Sequence, residues 1–124
     1  MSAEAPYLAT VVEHYRRPHN QRALTSPTHA HEGVNPLCGD RVRLEVEVRD
    51  GAVVDAGFAA SACAIATASA SLLTDRIRGG AVDDALRIDD EAAVAALGAG
   101  VPAARRGCAV LPLRVLRRAL GQSA

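Results

Sequence analysis

Hydrophobic positions along this chain change period twice, and the changes mark out its elements. Tyr7, Leu8, Val11, Val12 and Tyr15 recur three or four apart, which predicts an amphipathic helix over 5–17 stopped by Pro18. Residues 19–33 are rich in His, Pro, Thr and Ser and carry little periodicity beyond a short edge strand before Gly33. From 41 to 49 the period drops to two. Val42, Leu44, Val46 and Val48 alternate with Arg41, Arg43, Glu45, Glu47 and Arg49, as in a strand with one wet face. Asp50-Gly51 then provides a two-residue turn, and Ala52 to Ala60 the returning strand.

Helical periodicity returns after Cys63. Ala64 to Leu73 reads as a helix with small side chains on most faces, able to pack closely and ending at Gly79-Gly80. Residues 81–97 predict one or two short helices, with Asp89 or Asp90 as a cap. Gly98, Gly100 and Pro102 punctuate the chain before a last helix rich in Leu and Arg. Proline is tolerated in a first turn, where N–H groups lack intrahelical partners. Pro112 therefore predicts that this helix begins near Cys108, with Cys108 at its N-terminus. With no repeat and no linker, 1–124 reads as a single domain.

Composition narrows the choices. Hydrophobic residues make up 49% of the 124, yet the aromatics are only Tyr7, Tyr15 and Phe58. The interior must be built from Ala, Val, Leu and Ile, which favours helices packed closely on a small sheet. Fourteen basic and 14 acidic residues cancel, so no global field draws in nucleic acid or an anionic membrane, and neither is expected as a partner. Residues 1–20 lack the apolar core of a signal peptide, and no stretch approaches the roughly 20 apolar residues of a membrane span. The expected location is the cytoplasm. There an odd count of cysteines points to metal or thiol chemistry and away from a disulfide framework.

The candidate chemistry is carried by Cys38 and Asp40 in Asn35-Pro36-Leu37-Cys38-Gly39-Asp40, by Cys63, and by Cys108. Three soft sulfurs and one hard oxygen suffice for a tetrahedral zinc or iron site. Each cysteine alone reads first as a small buried hydrophobe, and separations of 25 and 45 residues match no compact zinc knuckle. Cys63 and Cys108 fall just ahead of predicted helices, whose dipoles favour thiolate. Cys38 lies in a Pro/Gly loop and is the most mobile, hence the best sulfur acceptor. Arg105 and Arg106 are candidates to support a thiolate or persulfide, or else the start of a solvated stripe running into Arg114, Arg117 and Arg118. His14 and His19 border the first helix, and His29 and His31 share one side of a strand. They read as surface or core-edge histidines before they read as ligands.

Together these residues resemble the U-type iron–sulfur cluster assembly proteins, the IscU, SufU and NifU N-terminal family. His14-Tyr15-x-x-Pro18-x-Asn20 is similar to the family's N-terminal helix signature. Asn35-Pro36-x-Cys38-Gly39-Asp40-Arg41 matches the first ligand loop, and Phe58 through Cys63 with the Ser-rich run to Thr74 matches the second. Cys108 takes the last cysteine's place. The resemblance implies an α+β fold, a small antiparallel sheet with helices packed on one side. It implies Cys38, Asp40, Cys63 and Cys108 as ligands of Zn2+ or of a transient [2Fe-2S] cluster. A pyridoxal-phosphate cysteine desulfurase is the implied sulfur donor, with downstream iron–sulfur assembly or apo-proteins as recipients.

Within the family the chain looks closest to SufU. Gly107 stands where scaffolds of the IscU type carry a His, no Leu-Pro-Pro-Val-Lys motif occurs in 95–107, and Arg105 lies three residues before the last cysteine. The 45-residue gap between the second and third cysteines is nevertheless short for the insertion of SufU-type proteins. Ala62 replaces a customary Gly, which would strain the backbone if that position needs a positive φ. The expected function is zinc-dependent acceptance and transfer of persulfide sulfur at Cys38. Its alternatives are a scaffold for a transient [2Fe-2S] cluster and a zinc-stabilised adaptor that activates the desulfurase.

Overall fold

The structure, a computed structural model, describes residues 7–121. Helix α1 runs Tyr7–Arg16 and is followed by strands β1 His29–Asn35, β2 Asp40–Arg49 and β3 Ala52–Ser61. Then come α2 Ala64–Ile77, α3 Val82–Leu86, α4 Asp90–Leu97, a short 3-10 turn Ala103–Arg105, and α5 Arg106–Ala119. Residues 5 and 6 of the expected first helix lie outside the described residues.

The strands form one antiparallel sheet in the order β1-β2-β3. The alternation in β2 does what a period of two requires: Val42, Leu44 and Val46 are at most 1% exposed on the helix side, with their arginine neighbours on the other. Each such burial is worth roughly 1.5–3 kcal/mol. Asp50 and Gly51 both have positive φ, the requirement of a type I′ hairpin turn. Just beyond it the register shifts: Glu47 pairs with Asp55 but Val48 with Val53, leaving Val54 as an exposed bulge.

Helices α2 and α5 cover one face of the sheet, and α1 and α4 pack onto them from outside. The α+β architecture with helices on one side is the one expected. Small residues make the close packing possible, since Ala66, Ala68, Ala70 and Ala109 are fully buried. Gly33 does the same for β1 and α5, because a Cβ there would come within 2.7 Å of Val115 Cγ2. Asp89 caps α4 by accepting the Ala92 N–H. Among the described residues no helix is long and apolar enough to cross a membrane.

The N-terminal signature is a clamp onto the second half of α2. Buried His14 shares a 2.7 Å hydrogen bond with Ser71 Oγ, which also accepts the His19 N–H at 2.8 Å. The His19 ring pairs with Asp75. Asn20, at φ 65°, donates to Thr74 Oγ1 and Asp75 Oδ1 and accepts from Arg78. Asparagine tolerates that backbone region better than most residues.

The last helix begins near Cys108, as expected, but Pro112 is not in its first turn. It begins at Arg106, entered through the 3-10 turn after Pro102, so Pro112 lies in its second turn and Cys108 inside its first. Pro112 lacks the N–H that would bond the Cys108 carbonyl. That loss is tolerated because the surrounding face, Val110 to Leu116 on the sheet side, is buried almost completely.

Candidate metal centre

The turn between β1 and β2 places the first cysteine. Asn35 Oδ1 accepts the Leu37 N–H at 3.1 Å, and the Asn35 carbonyl accepts from Cys38 and Gly39 at 3.3 and 2.8 Å. Gly39 turns the chain at φ 74°, a conformation unfavourable to a residue with a Cβ. The turn leaves Cys38 exposed and points the next side chain, Asp40, into the end of the helix layer, where it is 5% exposed.

Cys63 caps α2: its Sγ accepts the Ala66 N–H at 3.4 Å, and its own N–H donates to Asp40 Oδ1 at 2.9 Å. Ala62 before it is not among the residues with positive φ, so alanine is unstrained there. Cys108 arrives from the first turn of α5 and is buried. Ser69 Oγ donates to the Ala109 carbonyl at 2.6 Å and locks the two helices together beside it.

Cys38, Asp40 and Cys108 converge, with one ligand atom from each within 4.8 Å of the others. The Cys38 and Cys108 sulfurs are 3.7 Å apart. Two thiolates bound to one tetrahedral zinc at about 2.3 Å would be separated by about 3.8 Å. Asp40 Oδ2 is buried and has no hydrogen-bond partner, an arrangement that costs free energy unless something positive meets it. Donor type, spacing and the orphaned oxygen all fit a thiophilic cation. The fourth expected residue, Cys63, stands at the border of this triad, its sulfur engaged with the end of α2.

Electrostatics revises the expectation for Cys108. Burial, with the Cys63 and Cys38 thiols and Asp40 adding to it, pushes its thiol well above the ordinary range. The partial charge of a helix end is too small to offset desolvation of a buried thiolate, whereas a divalent ion would reverse the balance. Burial also acts to raise Asp40, but hydrogen bonding by Cys38, Cys63 and Cys108 outweighs it and holds the carboxyl low. The thiols are thus close enough to favour the carboxylate, although none reaches Oδ2 with hydrogen-bond geometry.

Arg105 is exposed, and among the described residues its side chain makes no hydrogen bond or ion pair. Arg106 pairs with Glu91, and Arg114 and Arg117 with Asp90, so most of the arginine stripe ties α5 to α4. The histidines are structural or peripheral, as the sequence suggested: His14 and His19 belong to the α1–α2 clamp, and His29 bonds Thr28. Sequence reasoning missed Ser69, Ser71 and Asp75 as the residues that hold this frame. The only signal was a helix unusually rich in small polar side chains.

Comparison with known proteins finds relatives over most of the chain. Residues 6–123 match the family model described as the NifU-like N-terminal domain. The iron–sulfur cluster assembly scaffold protein IscU 1 of Archaeoglobus fulgidus is 32% identical over 92% of this chain and 74% of its own length. The zinc-dependent sulfurtransferase SufU of Bacillus subtilis is 36% identical over 64% of this chain, and the match spans 54% of that protein. A crystal structure of a hypothetical protein superposes with a TM-score of 0.78 at 31% identity, covering 94% of this chain and 97% of that one. A putative scaffold protein for the SUF system from Fervidobacterium islandicum shares the fold at a TM-score of 0.73 and 21% identity, covering 90% and 93%.

Proposed function

Because this chain belongs to the NifU-like N-terminal domain family, we propose that it serves iron–sulfur cluster assembly by taking up and passing on persulfide sulfur. The observation that carries this reading is the disposition of its sulfurs. Exposed Cys38 stands 3.7 Å from buried Cys108, beside the unpartnered Asp40 oxygen. One sulfur is reachable from outside, and the other donors are anchored on rigid elements.

Zinc fits Cys38, Asp40 and Cys108, with Cys63 as the adjacent fourth donor, and its charge would keep these sulfurs deprotonated near neutral pH. Cys38 is the nucleophile. Its thiolate attacks the outer sulfur of a persulfide on a cysteine desulfurase, the S–S bond breaks, and the donor cysteine leaves as thiolate. The outer sulfur stays on Cys38 as a new persulfide, with no net change of oxidation state. The Asn35-anchored turn holds Cys38 at the surface for that encounter. Asp40 braces the turn against α2 through the Cys63 N–H. Arg105, exposed in the turn before Cys108, is the cation this reading assigns to an arriving persulfide.

A second reading has the same residues hold a transient [2Fe-2S] cluster as cargo, with Asp40 as its labile ligand. The relative named as a scaffold, matched over 92% of this chain, favours it. Intact-mass spectrometry separates the two after anaerobic mixing of the zinc-loaded protein with a desulfurase of the SufS type and cysteine. One added sulfur that disappears in Cys38→Ala is expected. No adduct, with a bound cluster forming from added iron, would replace transfer by scaffolding. Desulfurase activation by every single-cysteine variant would reduce the protein to an adaptor.

A further inference from the structure

Among the described residues, the fold closes one edge of its sheet and leaves the other open. On β3, Val53 donates to the Gly80 carbonyl at 2.8 Å and accepts from Gly79 at 2.7 Å, and Phe58 donates to the Asn20 carbonyl at 2.9 Å. Strand β1 pairs with β2 alone, and among the described residues no strand lies along its outer edge. Above that edge, between β1 and α5, lies a groove of 480 Å³ lined by His31 and Gly33 from the strand and Leu111, Arg114, Val115 and Arg118 from the helix. It ends at the Cys38 turn, where Leu37 is 96% and Val34 45% exposed.

We propose that this groove docks an extended acidic segment of a partner protein, added as a fourth strand on β1. An unpaired edge offers a row of backbone donors and acceptors that an incoming strand can satisfy. The side chains such a strand turns toward the helix layer would enter the groove. There the apolar floor of Leu111 and Val115 accepts aliphatic residues, and the charged lining is wholly basic. Arg118 has no ion pair among the described residues, and Arg114 has only a 3.8 Å contact with Asp90. Their separation along α5 is about 6 Å, close to the roughly 6.6 Å between alternate residues of a strand. Two carboxylates at positions i and i+2 of the added strand therefore meet the two guanidinium groups in turn. Anchoring beside the Cys38 turn would bring a partner to the reachable sulfur, but the docking itself depends on neither metal nor cargo.

The probe is a capped, fluorescein-labelled octapeptide with threonine at alternate positions and valine, leucine, glutamate and glutamate between them. Its control carries lysine in place of both glutamates. Fluorescence polarisation is expected to show the glutamate peptide binding about tenfold more tightly than the lysine peptide. Amide shifts should be confined to β1, α5 and the Cys38 turn. Arg118→Glu should weaken the glutamate peptide about fivefold and narrow the difference, while Cys38→Ser leaves it unchanged. No binding, equal binding of both peptides, or shifts elsewhere would overturn the proposal. So would concentration-dependent shifts along β1 without peptide, which would make a second copy of this chain the occupant. A failure here leaves the sulfur adduct on Cys38 untouched, so the two readings fall separately.

Discussion

Replacing Asp40 with alanine separates bracing from binding. Asp40 Oδ1 accepts the Cys63 N–H at 2.9 Å, and losing such a charge-assisted bond costs about 1.5–3 kcal/mol. Against this stands Oδ2, buried and unpartnered. A stranded polar oxygen costs about 1–3 kcal/mol that alanine no longer incurs. The two effects nearly cancel, so with zinc chelated Asp40→Ala should lie within about 1 kcal/mol of the parent, despite the burial of the site. With zinc present the balance changes. Loss of an oxygen ligand should weaken the metal at least about a hundredfold, which is about 2.7 kcal/mol of stabilisation at saturating zinc. Urea melts followed by circular dichroism, run with chelator and with zinc, read both quantities. A chelated variant more than about 3 kcal/mol less stable would refute this cancellation and make the Cys63 contact dominant. An undiminished zinc-induced gain would remove it from the ligand set.

Ser71→Ala strands both His14 Nδ1 and the His19 N–H, and should cost about 2–4 kcal/mol in urea; a loss under about 1 kcal/mol would refute the clamp. Burial, reinforced by His19 and opposed by Glu13 and Asp75, holds His14 below its ordinary 6.5. The folded protein therefore keeps His14 neutral while the unfolded chain takes up a proton, so stability should be full above pH 6.5 and fall as pH drops toward the lowered value. Asp55 is held below 3.8 chiefly by Arg22, and Asp75 by His19 and Asn20 in spite of burial. These carboxylates add a second loss on acidification below that value. Stability measured between about pH 7.5 and 5.5 should decline, and His14→Asn should flatten this first step; an unchanged slope in the variant would assign it elsewhere.

Much of the frame was legible because local periodicity survives folding. The alternation from Val42 to Val48, the Asp50-Gly51 turn, the Asp89 cap and the small-residue helix after Cys63 each depend on neighbours a few positions away. The candidate ligands were legible through their motifs, and the structure draws Cys38, Asp40 and Cys108 together across 70 residues of chain. Cys63 was placed correctly at the start of a helix, but its sulfur bonds the helix end, which spacing cannot reveal.

Quantities set by a residue's surroundings emerge only on folding. A helix N-terminus suggested an acidic thiol at Cys108, yet ionisation follows the dielectric around the sulfur, and that is fixed by α2, the Cys38 turn and Asp40 closing over it. Pro112 pointed to a helix start near Cys108, but it is burial of the face around it that lets the proline sit in the second turn of α5. Ser71 meets His14 across 57 residues, and among the described residues the 79–80 segment and Asn20 cover the β3 edge while β1 pairs with β2 alone. Local pattern specifies which residues can form each element and which side chains offer metal-binding atoms. Packing alone decided which of them are dry, which are reachable, and which polar atoms go without a partner.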